Sequence, residues 1–350
     1  MLDSRLPVVT LLFITAAGCT ATVDGETESA KRKTERAGTA ESVPGPGKQS
    51  TPKTRTFRFD YGFQVVDLPA DARVRVWLPV PPDDQRQTVV ELDRKLPCPA
   101  KRFKEPKYEN SLLFLEPKAP ASGQLDFSIS YRVKRMEVRS QLTKDAAAKI
   151  EPQVRKQFLS ATSLIPVDGK PLELLKGQSL PKDEWSLART LYNRVDEHMK
   201  YDKSKPGYGN GDVIWACDSR TGNCTDFHSL FISLARSQGL PSRFSIGFPL
   251  PEKRGKGTIG GYHCWADFFV EQHGWVPIDI SEADKHPEMK DYYFGNLTEN
   301  RVVFSRGRDL ELVPRQQGKP LNYFVYPHVE VNGKIWPKEK IKLRFRYEDL

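Results

Sequence analysis

The sequence GNCTDFHSLFISLARSQGLPSR at residues 222–243 is followed by GYHCWADFFV at residues 261–270 and by GWVPIDI at residues 274–280. In the first stretch, apolar side chains recur at helical spacing from Thr225 to Gln238. Gly239 and Pro241 then end the periodic run. The second and third stretches alternate as strands and are separated by a short turn. The sequence therefore predicts a helix followed by a β-hairpin.

The chemistry of these stretches centres on Cys224 at the start of the predicted helix. Asn223 or Thr225 can cap this helix, which places the thiol at its first turn. Free backbone N–H groups and the helix dipole lower a thiol pKa there, and the same N–H groups can bind an oxyanion. His263 and Asp279, on the predicted strands, are the residue types that act as base and as orienter of that base. The alternative interpretation is that Cys224 is a buried structural thiol or half of a disulfide.

The turn length decides whether His263 and Asp279 can meet. A regular four-residue turn pairs Val270 with Trp275 and directs Asp279 away from His263, because a one-residue slip exchanges the two faces of a strand. A three- or five-residue loop, or a bulge near Pro277, brings both side chains to one face as diagonal neighbours. We predict that the four-residue register is not the one adopted.

Taken together, Gly222-Asn-Cys224, Tyr262-His263 and Asp279 resemble the core of the transglutaminase-like superfamily. The blocks WLPVP (77–81), MKYD (199–202), NRVVFSRGRDL (300–310) and NYFVYPHVEVNGK (322–334) resemble bacterial members of it. The resemblance implies an α+β fold with a papain-like core, Cys224 as nucleophile, His263 as base and Asp279 as orienter. It also implies Trp215 as a candidate oxyanion donor, although a packing role is the simpler interpretation.

Other polar residues near the triad support weaker hypotheses. We expect the Asp226 carboxylate to point away from Cys224, since a charge facing the thiol would oppose thiolate formation. A metal set of Cys217, His228, His263 and Cys264 matches no standard zinc spacing, so neither a metal nor another cofactor is predicted. In an oxidising compartment Cys217 and Cys264 can pair, but the disulfide state of Cys98, Cys217 and Cys264 stays open.

The domain organisation follows from changes in composition along the chain. Residues 57–140 alternate as strands and predict a small β-sandwich-like domain. Residues 141–180 are interpreted as a linker region with a helix over 142–160, and residues 181–350 as the catalytic domain. Within the latter, Asp183–Lys200 predicts an amphipathic helix beside the catalytic one, and 340–347 predicts a half-buried strand with a basic face.

The first 18 residues resemble a bacterial lipoprotein signal, with Cys19 as the lipid-accepting residue. An ordinary secretory signal and an uncleaved anchor are the alternatives. Residues 19–56 are almost free of large apolar side chains and predict a disordered tether. These features predict an exported, membrane-anchored lipoprotein of the bacterial cell envelope.

The formal charge of +9 suits an anionic neighbourhood such as a membrane surface or a cell-wall polymer. The basic residues are spread rather than clustered, so nucleic acid is not a predicted partner. The leading hypothesis is a thiol-dependent enzyme that acts on peptide or glutamine-type amides of a protein or cell-wall peptide, with hydrolysis favoured over amine crosslinking. The alternative is a catalytically silent binding or scaffold module of the cell envelope with the same fold.

Overall fold

The computed structural model of the protein describes residues 51–140, 148–271 and 273–350. The predicted signal, Cys19 and most of the predicted tether lie outside the described residues. The tether was predicted to end at residue 56, but the first strand already begins at Thr54. Among the helices of the described ranges, none has both the length and the apolar character needed to cross a bilayer.

The described residues contain five α-helices, which follow the apolar periodicity of the sequence. These helices are α1 Pro152–Leu159, α2 Glu184–His198, α3 Val213–Ser219, α4 Cys224–Ser237 and α5 Ile280–Lys285. Short 3-10 turns lie at Lys170–Leu175, Pro287–Met289 and Lys338–Lys340.

The same ranges contain eighteen strands. In the first half of the chain these are β1 Thr54–Val65, β2 Val74–Pro79, β3 Gln87–Lys95, β4 Lys101–Lys104, β5 Ser111–Leu115, β6 Leu125–Met136 and β7 Val138–Arg139. In the second half they are β8 Lys200–Tyr201, β9 Thr221–Gly222, β10 Ser242–Pro249, β11 Lys256–Ile259, β12 His263–Val270, β13 Gly274–Ile278, β14 Asn296–Leu297, β15 Arg301–Arg306, β16 His328–Val331, β17 Lys334–Ile335 and β18 Ile341–Asp349.

Three sheets build the architecture, which is a mixed α+β fold as predicted. Two five-stranded sheets have the orders β11-β18-β1-β6-β3 and β17-β16-β2-β5-β4. The third sheet has the order β13-β12-β10-β15, and α4 packs across β12 and β10. α2 packs beside α4, as its amphipathic pattern predicts. This third sheet and α4 position the candidate site.

The β-structure predicted in the first half of the chain is present, but its partners come from distant segments. β1 pairs with β6 on one side and with β18, the last strand of the chain, on the other. On its inner face, Phe59 and Tyr61 pack against Phe248 and Phe304 of the third sheet. Residues 51–350 accordingly form one compact unit. Strands from both sides of residue 140 pair within the same two five-stranded sheets. The predicted domain boundaries stay a prediction.

The linker region is less helical than predicted. A helix was expected over 142–160, but residues 148–151 are not helical and α1 begins only at Pro152. Pro152 is the reason for this start, because its fixed φ and missing N–H suit the first turn of a helix and not its interior. Residues 141–147 lie outside the described ranges.

The hairpin that carries the predicted base has the register that the sequence requires. Val270 pairs with Gly274 and Ala266 pairs with Ile278, so a three-residue loop joins β12 and β13. The prediction that the four-residue turn is not used is confirmed. Asp279 was expected on a strand, but β13 ends at Ile278 and Asp279 is instead the N-cap of α5. The Asp279 side chain accepts the N–H of Glu282, which fixes this helix start.

Candidate active site

The N-terminus of α4 is held by a reciprocal set of hydrogen bonds around Cys224. The Asn223 side chain accepts the N–H of Thr225 at 2.8 Å, and the Asp226 carboxylate accepts the N–H of Asn223 at 2.9 Å. The hydroxyl of Tyr262 accepts from the Asn223 amide at 3.1 Å and lies 2.8 Å from the Thr225 hydroxyl. Cys224 is thereby fixed as the first residue of the helix, where it is 3% exposed.

The Asp226 carboxylate is bonded to backbone N–H groups around the helix start. It accepts the N–H groups of Gly209 at 2.7 Å and Gly211 at 2.9 Å, and so ties the 207–211 loop to the helix start. This arrangement explains why a glycine stands at position 222. A Cβ at Gly222 would come within 2.5 Å of the Asp226 carboxylate. The Gly-x-Cys triplet is therefore a packing requirement of the capped helix.

His263 bridges the thiol and the carboxylate of the predicted triad. Its Nε2 atom lies 2.7 Å from Asp279 Oδ2 in a buried hydrogen bond. The His263 ring also interacts with the Cys224 thiol, and Nδ1 is the ring nitrogen that the bond to Asp279 leaves free. The structure thus brings the side chains of Cys224, His263 and Asp279 together in the order thiol, imidazole and carboxylate.

The electrostatics of the three groups favour a thiolate beside an imidazolium. Burial opposes the charge on Cys224, but hydrogen bonds from Cys264 and His263 and the His263 charge bring the pKa of this thiol well below its usual value. Burial also opposes the charge on His263, but Asp279 and Cys224 outweigh it and raise the pKa of His263 to about 10. The Asp279 pKa is held well below its usual range by His263 and Arg301 despite burial. Each charged group stabilises the next.

Four donors surround the Asp279 carboxylate. Besides His263, Arg301 Nη1 donates to Oδ2 at 2.8 Å, while Ser281 Oγ and the Glu282 N–H donate to Oδ1 at 3.1 Å and 3.2 Å. Asp279 is fully buried, and a buried carboxylate with this many donors has one stable orientation. Asp279 is therefore rigidly placed to orient His263.

His228, one turn after Cys224, has a structural role at the base of the site. Its Nε2 atom accepts the backbone N–H of Ile280 at 3.0 Å and so ties α4 to the start of α5. Burial lowers the pKa of His228, consistent with a neutral ring whose Nε2 is an acceptor. His228 thus fixes the position of the neighbouring Asp279.

Cys264 is a second buried thiol in the site. Its Sγ lies 3.7 Å from Thr225 Oγ1 and 3.8 Å from His228 Nδ1, and it hydrogen-bonds the Cys224 side chain. Burial and the Cys224 charge raise the pKa of Cys264 well above its usual value, so Cys264 stays a thiol and donates. The four described cysteines are free, and Cys217 and Cys264 do not form the disulfide considered from the sequence.

Trp215, the predicted oxyanion candidate, lies half-buried on α3. Its indole packs against Gly207, where a Cβ would come 2.7 Å from Nε1 and where φ is +100°. Its role in binding an oxyanion stays a prediction. A second candidate donor is the backbone N–H of Cys224, which has no hydrogen-bond partner among the described residues.

The described residues that can approach a metal ion are not the set considered from the sequence. His263, Asp279 and Glu282 place one ligand atom each within 4.8 Å of one another. His263 Nε2 and Asp279 Oδ2 are already hydrogen-bonded to each other, so a metal there would have to break that bond. The geometry fits a hydrogen-bonded triad better than a metal centre.

A cleft of about 950 Å³ opens beside His263. Its lining combines aromatic side chains with charges of both signs, and includes Tyr201, Tyr262, Tyr292, Lys203, Lys285, Glu282 and Arg301. A cleft of this volume is in the range of ligand-binding sites, and its charged lining suits a polar ligand.

Sequence reasoning missed Arg301 as a part of the site, and it gave Tyr262 and Cys264 no role beside the Cys224 thiol. Arg301 lies in the block 300–310 that carried part of the resemblance, but the pattern of that block does not distinguish it from Arg306 or Arg308. Cys264 and His263 are neighbours on β12, and neighbouring strand residues face opposite ways. The Cys264 side chain faces α4, which packs on that face of β12.

Comparisons with known proteins agree with this geometry. Residues 171–280 match the model of the transglutaminase-like superfamily. The matched region contains Cys224, His263 and Asp279, and it identifies this part of the chain as a transglutaminase-like domain. The superfamily supports, in general terms, a thiol-dependent enzyme.

Individual proteins extend the comparison beyond this region. An uncharacterized protein of Haemophilus influenzae is 33% identical over 213 residues, which span 51% of this chain and 57% of that protein. The crystal structure of a proposed cysteine protease from Cytophaga hutchinsonii aligns with a TM-score of 0.52 and 15% identity, over 86% of this chain and 99% of that one. It supports the fold. The periplasmic domain of TgpA from Pseudomonas aeruginosa aligns more loosely, with a TM-score of 0.32 and 17% identity. This alignment covers 67% of this chain and 90% of that one.

Proposed function

We propose that the protein is a thiol-dependent acyl-transfer enzyme that acts on peptide or glutamine-type amides, with Cys224 as nucleophile, His263 as acid and base, and Asp279 as orienter. The observation that carries this proposal is the position of His263. Its ring interacts with the thiol of Cys224, the first residue of a capped helix, while its Nε2 lies 2.7 Å from Asp279 Oδ2.

In the proposed reaction, the Cys224 thiolate attacks the carbonyl carbon of the amide and forms a C–S bond. The oxyanion that develops is placed to accept the backbone N–H of Cys224. The His263 imidazolium donates its proton to the amide nitrogen, the C–N bond breaks, and an amine leaves behind a thioester. His263, now neutral, removes a proton from the incoming water or amine, which attacks the thioester and releases Cys224.

We favour water over an amine as the acceptor. The support for this choice is the resemblance of the chain to bacterial members of the superfamily that are peptidase-like. Incubation with peptide substrates in the presence of a primary amine distinguishes the two, because hydrolysis yields an acid and crosslinking yields a substituted amide of different mass.

The experiment compares two thiols of the same chain. Cys217 has a pKa raised to about 11, chiefly by burial, whereas the pKa of Cys224 is lowered. We expect iodoacetamide at pH 7 to alkylate Cys224 much faster than Cys217, and a Cys224→Ala variant to lose all turnover of a peptide and amine library. The Cys217→Ala variant is the matched control and should keep that turnover. Equal alkylation of the two thiols, or full turnover by Cys224→Ala, would refute the proposal.

A catalytically silent scaffold is the second candidate. The observation in its favour is that Cys224 is only 3% exposed, so a substrate has limited access to sulfur. A silent module predicts a Cys224 that is inert to iodoacetamide together with a cleft that still binds peptides. Rapid alkylation of Cys224 would exclude this candidate.

We further propose that the enzyme is anchored to the cell envelope by a lipid on Cys19 and acts there on a protein or cell-wall peptide. The support is the sequence of residues 1–19 together with the charge of +9. Mass spectrometry of the N-terminal peptide from membrane fractions tests this proposal. A Cys19 without a lipid, or a Cys19→Ser variant that stays in the membrane fraction, would contradict it.

A further inference from the structure

Arg301 lines the cleft and has hydrogen-bonding capacity to spare. It is the first residue of β15, it is 3% exposed, and it lines the cleft together with His263. A guanidinium carries five N–H groups in a rigid fork. Among the described residues, Arg301 has one hydrogen-bond acceptor, Asp279 Oδ2, which is bonded to Nη1. The buried Nε of Arg301 has no acceptor among them. Most of the donors of Arg301 are therefore unused.

Asp279 cannot take up the remaining donors. Its two oxygens already accept hydrogen bonds from His263, Ser281 and the Glu282 backbone as well as from Arg301. Turning the Asp279 carboxylate toward Arg301 would break the bond that orients His263. The missing acceptor must therefore come from another group.

Three acidic side chains of the cleft are engaged elsewhere. Glu137 lies 3.0 Å from Arg139 and accepts the Tyr292 hydroxyl at 2.8 Å. Glu282 pairs with Lys285 at 2.5 Å. Glu299, on the segment that precedes β15, pairs with Arg254 at 3.4 Å. None of these ion pairs includes Arg301. A ligand in the cleft can supply what these side chains do not.

We propose that Arg301 binds a carboxylate of the substrate, so that the enzyme acts on amides with a carboxylate one or two residues from the bond attacked. This inference rests on the proposed function, since it places the amide at Cys224. A carboxylate matches the guanidinium fork and can accept two N–H groups at once. Arg301 and His263 bond the same oxygen of Asp279, so they lie within two hydrogen bonds of each other. One extended residue spans about 3.3–3.6 Å, which sets the spacing of one or two residues.

The carboxylate can be the C-terminus of a peptide or an acidic side chain, and matched peptides separate the two. One pair is acetyl-Ala-Gln-Gly with a free carboxylate and the same peptide as a C-terminal amide. The other pair is acetyl-Asp-Gln-Gly-amide and acetyl-Asn-Gln-Gly-amide. The readout is the peptide concentration that halves the rate of alkylation of Cys224 by iodoacetamide in the full chain. Without peptide, that rate tests the proposed function alone.

We expect one carboxylate peptide to protect Cys224 at a concentration at least tenfold below that of its neutral partner. In Arg301→Gln this ratio should fall to near one, and in Arg301→Lys, which keeps the charge without the fork, it should be intermediate. A merely structural role of Arg301 would weaken protection by both members of a pair and leave their ratio unchanged. The lysine variant keeps the test available if the glutamine variant does not fold.

Lys203→Gln is the matched control, because it removes one positive charge from the lining of the same cleft without touching Asp279. It should keep the wild-type ratio. Any of four results would overturn the proposal. In the wild type these are a ratio near one, or no protection by any of the four peptides. In the variants they are a tenfold ratio that persists in Arg301→Gln, or an equal loss of the ratio in Lys203→Gln.

Discussion

Replacing Asp279 by Asn tests the electrostatic coupling of the triad most directly, because the substitution keeps the shape of the side chain and removes its charge. Asp279 is the main group that outweighs burial and raises the pKa of His263 from 6.5 to about 10. At about 1.4 kcal/mol for each pKa unit, this difference corresponds to about 5 kcal/mol, shared between Asp279 and Cys224. Without the charge, the imidazolium should lose its proton at a much lower pH.

The sign of the effect on Cys224 is opposite. The His263 charge lowers the pKa of Cys224, so a less stable imidazolium raises it. The thiolate–imidazolium pair exists between the two pKa values, and Asp279→Asn should narrow this interval from both sides. We expect a loss of about 10⁴-fold in turnover at neutral pH, the size found when the orienting carboxylate of a Ser-His-Asp triad is neutralised.

The assay is the rate of alkylation of Cys224 by iodoacetamide from pH 4 to pH 11, which needs no substrate. In the wild type the rate should rise well below the usual thiol pKa and show a second transition near pH 10, where His263 loses its proton. In Asp279→Asn the rise in alkylation rate should move to higher pH, and the second transition should move to lower pH. Wild-type transitions in a folded Asp279→Asn variant would refute the coupling.

Asp267→Asn is the matched control. Asp267 is a buried carboxylate on the same strand as His263, bonded to Ser245 at 2.8 Å and to Arg86 and Arg243 at 3.1 Å and 3.2 Å. Either substitution leaves buried or partly buried arginine charge without its partner, which costs up to about 3–5 kcal/mol of stability. Asp267→Asn should therefore show a similar loss of stability in urea unfolding but keep both pH transitions.

Two further substitutions test the surroundings of the nucleophile. Cys264→Ala removes a donor to the Cys224 sulfur, so the alkylation rate should rise only at higher pH. Cys264→Ser keeps a donor and should leave the pH of that rise unchanged. Equal pH profiles of alkylation for the two variants would contradict the role given to Cys264. Gly222→Ala places a Cβ within 2.5 Å of the Asp226 carboxylate and should destabilise the protein by about 1–3 kcal/mol in urea unfolding. Gly260→Ala, with no atom within 4 Å of its added Cβ, should leave stability unchanged, and a Gly222→Ala variant as stable as the wild type would show that the helix cap tolerates the methyl group.

The parts of the site that could be predicted from the sequence are those fixed by local pattern. Helical periodicity, Asn223 and Gly239 place Cys224 at a helix start, and the structure has α4 beginning at that residue. Strand alternation places His263 on β12, and the parity of the hairpin excludes the four-residue turn. The sequence alone could not choose between a three-residue loop, a five-residue loop and a bulge. It also could not show that Asp279 leaves the strand and caps α5.

The parts that could not be predicted depend on pairings between distant segments. Arg301 reaches Asp279 because β15 pairs with β10 as the fourth strand of the sheet. In that pairing Arg301 lies opposite Pro249 of β10. No periodicity in the block 300–310 reports that pairing. The same holds for the first half of the chain, where β1 takes β18 as its partner from the other end of the sequence. Local pattern indicates strands but does not indicate which strands meet.

Asp279 is the point at which these distant segments meet. It is bonded to His263 on β12 and to Arg301 on β15, and the residue that follows it is bonded to His228 on α4. The basicity of His263 is thus set only when the order β13-β12-β10-β15 is complete and α4 lies across it. An opening of β15 alone would remove Arg301 from Asp279 and expose the bond between Asp279 and His263 to water. The attraction between Asp279 and the His263 imidazolium would then weaken, because water screens an exposed ion pair more than a buried one. The reactivity of Cys224 is therefore a property of the folded sheet as a whole and not of the helix end on which the cysteine lies.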